Sequence, residues 1–464
     1  MIDLTKTGSV FFVGIGGIGM SALARYFLAN GLNVYGYDRT ESSLTEALSA
    51  EGCQIIFDDM ITVLPAVFRR SENKDKLMVI YTPAIPVENK IITWFRNNGY
   101  PLFKRSEILG SISENKETLA VSGTHGKTTV STMLAHLLRQ SGIDCSAFLG
   151  GISKNYNSNL LIGGNSLTVM EADEYDRSFH RLNPSMAVVT SVDADHLDIY
   201  GDHQAMIEAY NEFFTKIRKG GVLILNQKIR DKVIIPEGVT GYTYGIEGEA
   251  DYKATDIIRK GDSYTFNLIT PERTIGNIKF RFPGIINIEN ATAASAVALL
   301  CGASEINLRN ALLSFTGVQR RFDVRINRPG ITYIDDYAHH PEEIKACITS
   351  VKEYFGGRKI TGIFQPHLFT RTRDHAEGFA QILDMLDEVI ILPVYPAREK
   401  PIEGISSEII LEKMTISNKK LLEKTDIPGR LDIKHIDVLL TIGAGDIDRL
   451  VGPIEEALNI ARQN

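Results

Sequence analysis

The run Gly123-Thr124-His125-Gly126-Lys127-Thr128-Thr129 combines the residue types that hold a polyphosphate. Glycines let backbone N–H groups face an anion, and a following helix adds its N-terminal dipole. Lys127 supplies a point charge and Thr128 a hydroxyl for Mg²⁺. The usual Walker A pattern has a glycine where this chain has Val121, so the loop is shorter than that consensus. The run reads as a nucleoside triphosphate site. A second run, Gly14-Ile15-Gly16-Gly17-Ile18-Gly19, matches G-x-G-x-x-G, and the acidic Asp38 follows about 20 residues on. Here the glycines let the backbone approach a pyrophosphate, and NAD is only one of the ligands that carry one.

Carboxylates stand where a triphosphate needs a metal. Glu171-Ala172-Asp173-Glu174-Tyr175-Asp176 ends an apolar segment, and Asp193-Ala194-Asp195-His196-Leu197-Asp198 ends the next. Mg²⁺ prefers oxygen ligands, so a nitrogen from His196 would be a secondary contact or a tolerance for Mn²⁺. Further on lie Asp335-Asp336-Tyr337-Ala338-His339-His340-Pro341 and Gln365-Pro366-His367-Leu368-Phe369-Thr370-Arg371-Thr372-Arg373. The histidine pair lacks a third ligand at zinc spacing, and the arginine forks suit a carboxylate or a phosphate.

The elements that must position these residues follow from apolar runs alternating with amphipathic stretches, the pattern of βαβ units. Leu119 to Val121 reads as a buried strand and Val130 to Gln140 as the helix after the triphosphate loop. Val10 to Gly14, Asn33 to Asp38 and Leu77 to Thr82 read as strands of a first block, which ends at a polar linker over 111–116. The second block holds strands at Leu167 to Glu171, Met186 to Thr190 and Gly221 to Leu225, then a turn-rich stretch from Tyr242 to Phe282 that reads as a small antiparallel sheet. Strands at Gly330 to Asp335, Lys359 to Phe364, Glu388 to Pro393 and Val438 to Ile442 make a third block.

Bulk properties narrow the class. The 464 residues suffice for about three domains, with 44% hydrophobic and 23% charged residues. A net charge of -7 argues against nucleic acid or an anionic membrane as the partner. Cys53, Cys145, Cys301 and Cys347 show neither metal nor redox spacing and read as reduced thiols. With no signal peptide and no apolar run of about 18 residues, a cytoplasmic protein without a membrane span is expected.

Taken together, these motifs resemble the Mur ligase family of peptidoglycan synthesis, in that family's order and over essentially the whole chain. Within it the chain is similar to the alanine-adding branch. The resemblance implies an α/β protein of three domains: a Rossmann-like domain for a UDP-sugar (1–113), a central P-loop-type ATPase domain with a parallel sheet plus a small antiparallel one (114–322), and a C-terminal Rossmann-like domain receiving the amino acid (323–464). It implies that Gly14, Gly16, Gly17, Ile18, Gly19, Asp38, Thr82 and Ala84 serve UDP-N-acetylmuramate rather than NAD. Gly123, Thr124, His125, Gly126, Lys127, Thr128 and Thr129 would bind ATP, assisted by Asn287, Asn290, Arg321 and Asp336. Thr128, Glu174 and His196 match the metal positions, while Tyr337, His339 and Arg371 would meet L-alanine. Lys127, Glu174, His196, His339 and Arg371 are then the catalytic group. The implied reaction is ATP-dependent amide formation between L-alanine and the lactyl carboxylate, through an acyl phosphate, by a monomer or homodimer.

Three departures stand out: Gly284-Ile285-Ile286-Asn287 lacks the family's histidine at the adenine, Leu368 replaces an arginine, and Asn211 stands where some Mur ligases carry a carbamylated lysine. The rival in the same superfamily is a murein-peptide recycling ligase that attaches a tripeptide; Gly16-Gly17 and Gln365-Pro366-His367 count against it, whereas Tyr175 is common to that branch. A dehydrogenase would leave the triphosphate loop without a task.

Overall fold

The computed structural model describes every residue except 1–6, 70–73, 87, 165, 195–196, 262, 398 and 461–464. The described residues form three sheets in two compact units, Met1–Arg281 with Ile288–Thr316, and Phe282–Asn287 with Gly317–Asn464.

The first unit holds two sheets. One comprises β1 (Ser9–Val13), β2 (Asn33–Tyr37), β3 (Gln54–Ile56), β4 (Leu77–Tyr81) and β5 (Leu102–Lys104), in the all-parallel order β3-β2-β1-β4-β5. Every residue of β1 is buried, because both faces of the sheet are covered. Val10 and Phe12 pack with Leu23 and Phe27 of the Ile18–Ala29 helix, while Phe11 and Val13 pack with Phe68, Ile91 and Phe95 on the other side. This is the strand order of a dinucleotide-type fold, whose ligand crevice lies beyond the C-terminal ends of β1 and β4.

The other sheet has ten strands: β6 (Glu117–Ser122), β7 (Ser146–Ser153), β8 (Ser158–Leu161), β9 (Leu167–Glu171), β10 (Met186–Val189), β11 (Val222–Asn226), β12 (Thr240–Gly245), β13 (Tyr252–Lys260), β14 (Ser263–Ile269) and β15 (Thr274–Phe280). Their order is β15-β14-β13-β12-β11-β10-β6-β9-β7-β8. The three central neighbours β10, β6 and β9 are parallel, so the triphosphate loop and both acidic segments leave the same edge side by side. The antiparallel strands β13–β15 exist as expected but continue this sheet, through a short parallel pairing of β12 with β13, instead of standing apart from it.

Most of the expected linker, 111–114, is the end of a helix. Arg105–Glu114 is helical and buries Ser111, Ile112 and Ser113. Ser113 Oγ donates to Gly110 O at 2.6 Å, so its hydroxyl is satisfied inside the helix, and small residues let the helix pack closely.

The second unit carries β16 (Asp323–Arg328), β17 (Ile331–Asp336), β18 (Ile360–Phe364), β19 (Glu388–Ile391), β20 (Lys419–Leu421) and β21 (Val438–Ile442), in the order β16-β17-β21-β18-β19-β20. Only the edge strand β16 runs antiparallel, against β17. The last strand inserts between the first two parallel ones, a different winding from the N-terminal sheet. Cys53, Cys145 and Cys347 are buried, Cys301 is half-buried, and all four are free thiols. Among the described residues no helix is long and apolar enough to cross a membrane.

Candidate functional site

The triphosphate loop is built against the end of β10. Gly123 has φ +124°, and a Cβ there would sit 2.0 Å from Thr190 Oγ1, so only glycine fits. Thr190 Oγ1 donates to His125 O, Ser191 Oγ accepts from His125 N at 3.0 Å, and Ser191 O accepts from Thr124 N at 3.2 Å. Thr124 Oγ1 lies 2.7 Å from Ser191 Oγ and accepts from Asp193 N at 3.1 Å. Gly126 turns the chain at φ +81° into the Lys127–Gln140 helix, with Asn290 Oδ1 beside it. A helix start leaves its first amides without partners inside the helix, which aims donors and dipole at an anion. Thr129 is buried in that first turn.

Lys127 is the charge at this mouth. Its Nζ lies 2.8 Å from both Glu174 oxygens and donates to Gly123 O at 2.6 Å. The Glu174 side chain is 1% exposed and that of Lys127 14%. Burial works against the ammonium, but Glu174, Asp173 and Glu171 outweigh it and hold the lysine above its ordinary pKa. Thr128 Oγ1 donates to Glu171 Oε1 at 3.2 Å, and Gly150 N donates to Glu171 Oε2 at 3.1 Å. Glu171 is thus a member of the site that the sequence reading left unassigned; its place at the end of β9, next to β6, was the available signal. Hydroxyl and carboxylate oxygens around a buried negative charge match what a hard divalent cation takes, so the donor set fits Mg²⁺. His196, expected to complete it, lies outside the described residues, and among those described no cluster of three His, Cys, Asp or Glu side chains forms a metal cage.

The acidic turn after β9 is strained and tied down. Asp176 and Arg177 both have φ +54°, a region costly for non-glycine residues. Asp173 Oδ1 accepts from Tyr175 N at 3.0 Å, Tyr200 Oη donates to Glu174 O at 2.5 Å, and the Arg177 guanidinium lies 5.5 Å from the Tyr200 ring centroid. Two bases that the sequence reading missed hold the turn from outside: Lys104 Nζ lies 2.8 Å from Asp176, and Arg105 Nη2 lies 3.1 Å from Asp173. Nothing local in 104–105 announces partners about 70 residues away.

The first glycine loop is shaped mainly by its protein neighbours. A Cβ on Gly14 would meet Thr82 Cγ2 at 2.7 Å, and Ala84 N lies 3.4 Å from Thr82 Oγ1. Asp38 Oδ2 accepts from Gly16 N at 2.8 Å, so this carboxylate organises the loop. Gly17 caps the helix that begins at Ile18. Gly19 lies under the Arg105 guanidinium, whose Nη1 is 1.9 Å from where a Cβ would stand. Asn211, at the family's lysine position, accepts from Ile234 N at 2.9 Å, a structural task.

The second unit gathers the remaining candidates at the end of β17. Asp336 is buried, accepts from Phe322 N at 2.6 Å and Ala338 N at 2.7 Å, and has its pKa pushed up to about 6 by burial against the pull of Arg321. Arg320 and Phe322, both at positive φ, bracket Arg321. The Arg320 and Arg321 guanidiniums lie 5.2 and 5.0 Å from the Tyr337 ring centroid. Arg320, absent from the sequence reading, also pairs with Asp335 at 3.1 Å. His339 Nδ1 lies 3.1 Å from Tyr337 O and 3.3 Å from Glu343 Oε2, both acceptors, which assigns the ring proton to Nδ1 and leaves Nε2 as the acceptor. Burial lowers the His339 pKa, Glu343 opposes that, and the charge of Arg371 lowers it further. The His367 ring lies 5.8 Å from that of His339. Leu368, in place of an arginine, takes φ +70° at the start of the Phe369–Leu383 helix that carries Arg371. Asn287 belongs to this unit and donates to Pro283 O at 2.5 Å, fixing the start of the Ile285–Leu300 helix.

Comparison with known proteins covers nearly the whole chain. Residues 9–117 match the model described as Mur ligase family, catalytic domain; 121–298 match Mur ligase middle domain; and 320–445 match Mur ligase, glutamate ligase domain. A protein of Parabacteroides distasonis named UDP-N-acetylmuramate--L-alanine ligase is 48% identical over 98% of both chains. The crystal structure of a UDP-N-acetylmuramate-alanine ligase from Thermotoga maritima superposes with TM-score 0.81 at 27% identity, covering 98% of this chain and 99% of that one. A murein peptide ligase from Psychrobacter arcticus shares the fold, with TM-score 0.72 at 22% identity over 97% and 98% of the two chains.

Proposed function

This chain belongs to the Mur ligase family, and from that premise we propose that it joins L-alanine to the lactyl carboxylate of UDP-N-acetylmuramate, driven by ATP, in peptidoglycan synthesis. The observation that carries the reading is the buried Lys127–Glu174 pair at a glycine-bounded helix start, beside a second glycine loop on a separate sheet of the same unit. Two nucleotides thereby have two distinct cradles, as an ATP-driven ligase of a UDP-sugar requires.

A carboxylate is a poor electrophile, and transfer of the γ-phosphoryl group to it creates a leaving group; attack by the alanine amine then expels phosphate and leaves the amide. Bringing a carboxylate to a triphosphate is electrostatically costly, so Lys127 and the helix start must neutralise charge that spreads in the transition state. Mg²⁺, held by Thr128 and Glu174 with His196 as a further contact, would add positive charge at the transferred group; Mn²⁺ suits the same donors. Glu171 orients the Thr128 hydroxyl. On the other unit Arg321, with Asp336 fixing its turn, is assigned to the nucleotide phosphates; Asn287 of that unit and Asn290, beside Gly126 in the first, are assigned to the base. Arg371 is assigned to the alanine carboxylate through its planar fork. His339, neutral at pH 7 with Nε2 as acceptor, is suited to take the proton of the attacking amine. Tyr337 lines that pocket. Domains of 1–113, 114–322 and 323–464, a cytoplasmic location and a monomer or homodimer complete the proposal.

The test is phosphate release with UDP-N-acetylmuramate, ATP and each amine in turn. Alanine is expected to support turnover and the murein tripeptide to give little. The reverse ranking would transfer the assignment to the recycling ligases, and release without any UDP-sugar would end it.

A further inference from the structure

The acidic turn contains two carboxylates, Asp173 and Asp176, that the chemistry above does not use. Each is ion-paired to one of two consecutive bases at the junction of β5 and the Arg105–Glu114 helix. The two pairs differ in reach. Lys104 Nζ lies 2.8 Å from Asp176 Oδ2, with both side chains about one-third exposed. Arg105 is shared: Nη2 lies 3.1 Å from Asp173 Oδ2, while Nη1, Cζ and Cδ lie 1.9, 3.0 and 3.2 Å from where a Gly19 Cβ would stand. One planar guanidinium therefore spans the first turn of the Ile18–Ala29 helix and the acidic turn. Asp173 closes that turn, accepting from Tyr175 N at its side chain and from Phe179 N at its carbonyl, at 3.0 and 2.9 Å. Its neighbour Glu174 holds Lys127.

We propose that Arg105 is a positioning residue that couples the two nucleotide sites, passing from Asp173 toward the pyrophosphate when the UDP-sugar enters the first glycine loop. This rests on the reading of that loop as the sugar-nucleotide site. The sign follows from charge. A guanidinium offers five donors in a fork that fits phosphate oxygens bidentately, so a pyrophosphate at the Ile18–Ala29 helix start competes with Asp173 for it. As the anion draws Arg105, Asp173 loses part of its counter-charge, and the surroundings of Glu174 and Lys127 become more negative. A more negative acidic turn favours the divalent cation that accompanies ATP. UDP-sugar therefore tightens Mg²⁺–ATP, and by linkage Mg²⁺–ATP tightens UDP-sugar by the same factor. The glycine at position 19 has its reason in this arrangement, since any side chain there would expel the guanidinium.

Calorimetric titration of a non-hydrolysable ATP analogue with Mg²⁺, with and without saturating UDP-N-acetylmuramate, reads the coupling directly. In the wild type the sugar nucleotide should tighten the analogue by about fivefold or more, the lower end of typical coupling factors. Arg105→Gln and Asp173→Asn should each bring that ratio to within about twofold of one while still binding the analogue. Lys104→Gln, whose pair does not reach the glycine loop, should keep it, and Arg105→Lys should retain only part. A wild-type ratio of one with both ligands bound overturns the coupling and leaves the loop assignment standing. Full coupling in folded Arg105→Gln, or equal loss in Lys104→Gln, overturns the role of Arg105. Failure of the wild type to bind the UDP-sugar at all overturns the loop assignment, and this proposal with it.

Discussion

Replacing Lys127 by methionine isolates what the buried ion pair contributes before any ligand arrives. The side chain keeps its length, so the perturbation is the loss of one ammonium facing a carboxylate that is 1% exposed. Removing one partner of a buried pair costs about 3–5 kcal/mol, because the survivor stays desolvated without compensation. At about 1.5 °C per kcal/mol for a unit of about 310 residues, Lys127→Met should lower the melting temperature of its unit by about 6 °C. The fluorescence of Trp94, the single tryptophan and a member of the same unit, follows that transition. Glu174→Gln should cost less, since the ammonium retains Gly123 O and Thr124 O at 2.6 and 3.4 Å. The double variant should recover to within a few degrees of wild type. There is a pH signature as well. Without Lys127 the buried Glu174 carboxyl rises in pKa on folding, so the folded variant gains relative stability as pH falls, and its deficit is largest at alkaline pH. Both single variants should lose at least 10³-fold in phosphate release while UDP-sugar binding persists. If Lys127→Met melts with the wild type at pH 8, the pair is not closed in solution and the electrostatic account of the loop is wrong.

Three further outcomes follow from the geometry. Gly123→Ala puts a Cβ 2.0 Å from Thr190 Oγ1 at φ +124°, so binding of an ATP analogue should fall beyond detection by calorimetry while UDP-sugar binding is retained. His339→Asn should depress alanine-dependent turnover about 10²–10³-fold without abolishing alanine-independent ATP–ADP exchange. The wild-type rate should decline only below pH 6.5, because the lowered pKa keeps this histidine neutral down to that range, and the variant should lack that acid limb in its residual rate. His136 is buried between Tyr156 Oη and Ser314 Oγ, at 3.1 and 3.0 Å, and burial drops its pKa to about 4. Its folded pKa is below the unfolded 6.5, so stability is intact above pH 6.5 and is lost as pH falls toward 4, by about 3 kcal/mol at 1.36 kcal/mol per unit. Urea midpoints read through Trp94 should show that loss in the wild type and a flatter pH response in His136→Gln.

Much of the architecture was legible because parallel strands announce themselves as uninterrupted apolar runs, and because chemistry in open α/β sheets gathers at their C-terminal ends. Gly123, Glu174 and Asp336 each follow such a run: Gly123 is the residue after β6, Asp336 ends β17, and Glu174 lies in the turn that leaves β9. What stayed hidden depends on distance along the chain. Lys104, Arg105 and Arg320 take their roles from partners in other elements, and 111–116 reads as a linker because a buried serine whose hydroxyl is satisfied within a helix, as Ser113's is, looks, as sequence, like a polar loop.

The glycine motifs show where the limit lies. A G-x-G-x-x-G run states that something approaches the backbone closely, and it does not state what. At Gly14 the intruder is Thr82, at Gly16 they are Thr45 and Asp38, and at Gly19 it is Arg105; in the second loop it is Thr190 at Gly123. Each is a side chain of this protein, placed by the packing of another element. The spacing of the glycines therefore encodes the protein's own packing as much as its ligand, and the same spacing is compatible with NAD, a UDP-sugar or no nucleotide. Discrimination comes from the intruders. An arginine shared with the neighbouring acidic turn ties the first loop to the lysine and carboxylate of the second, a link that the glycine spacing does not encode.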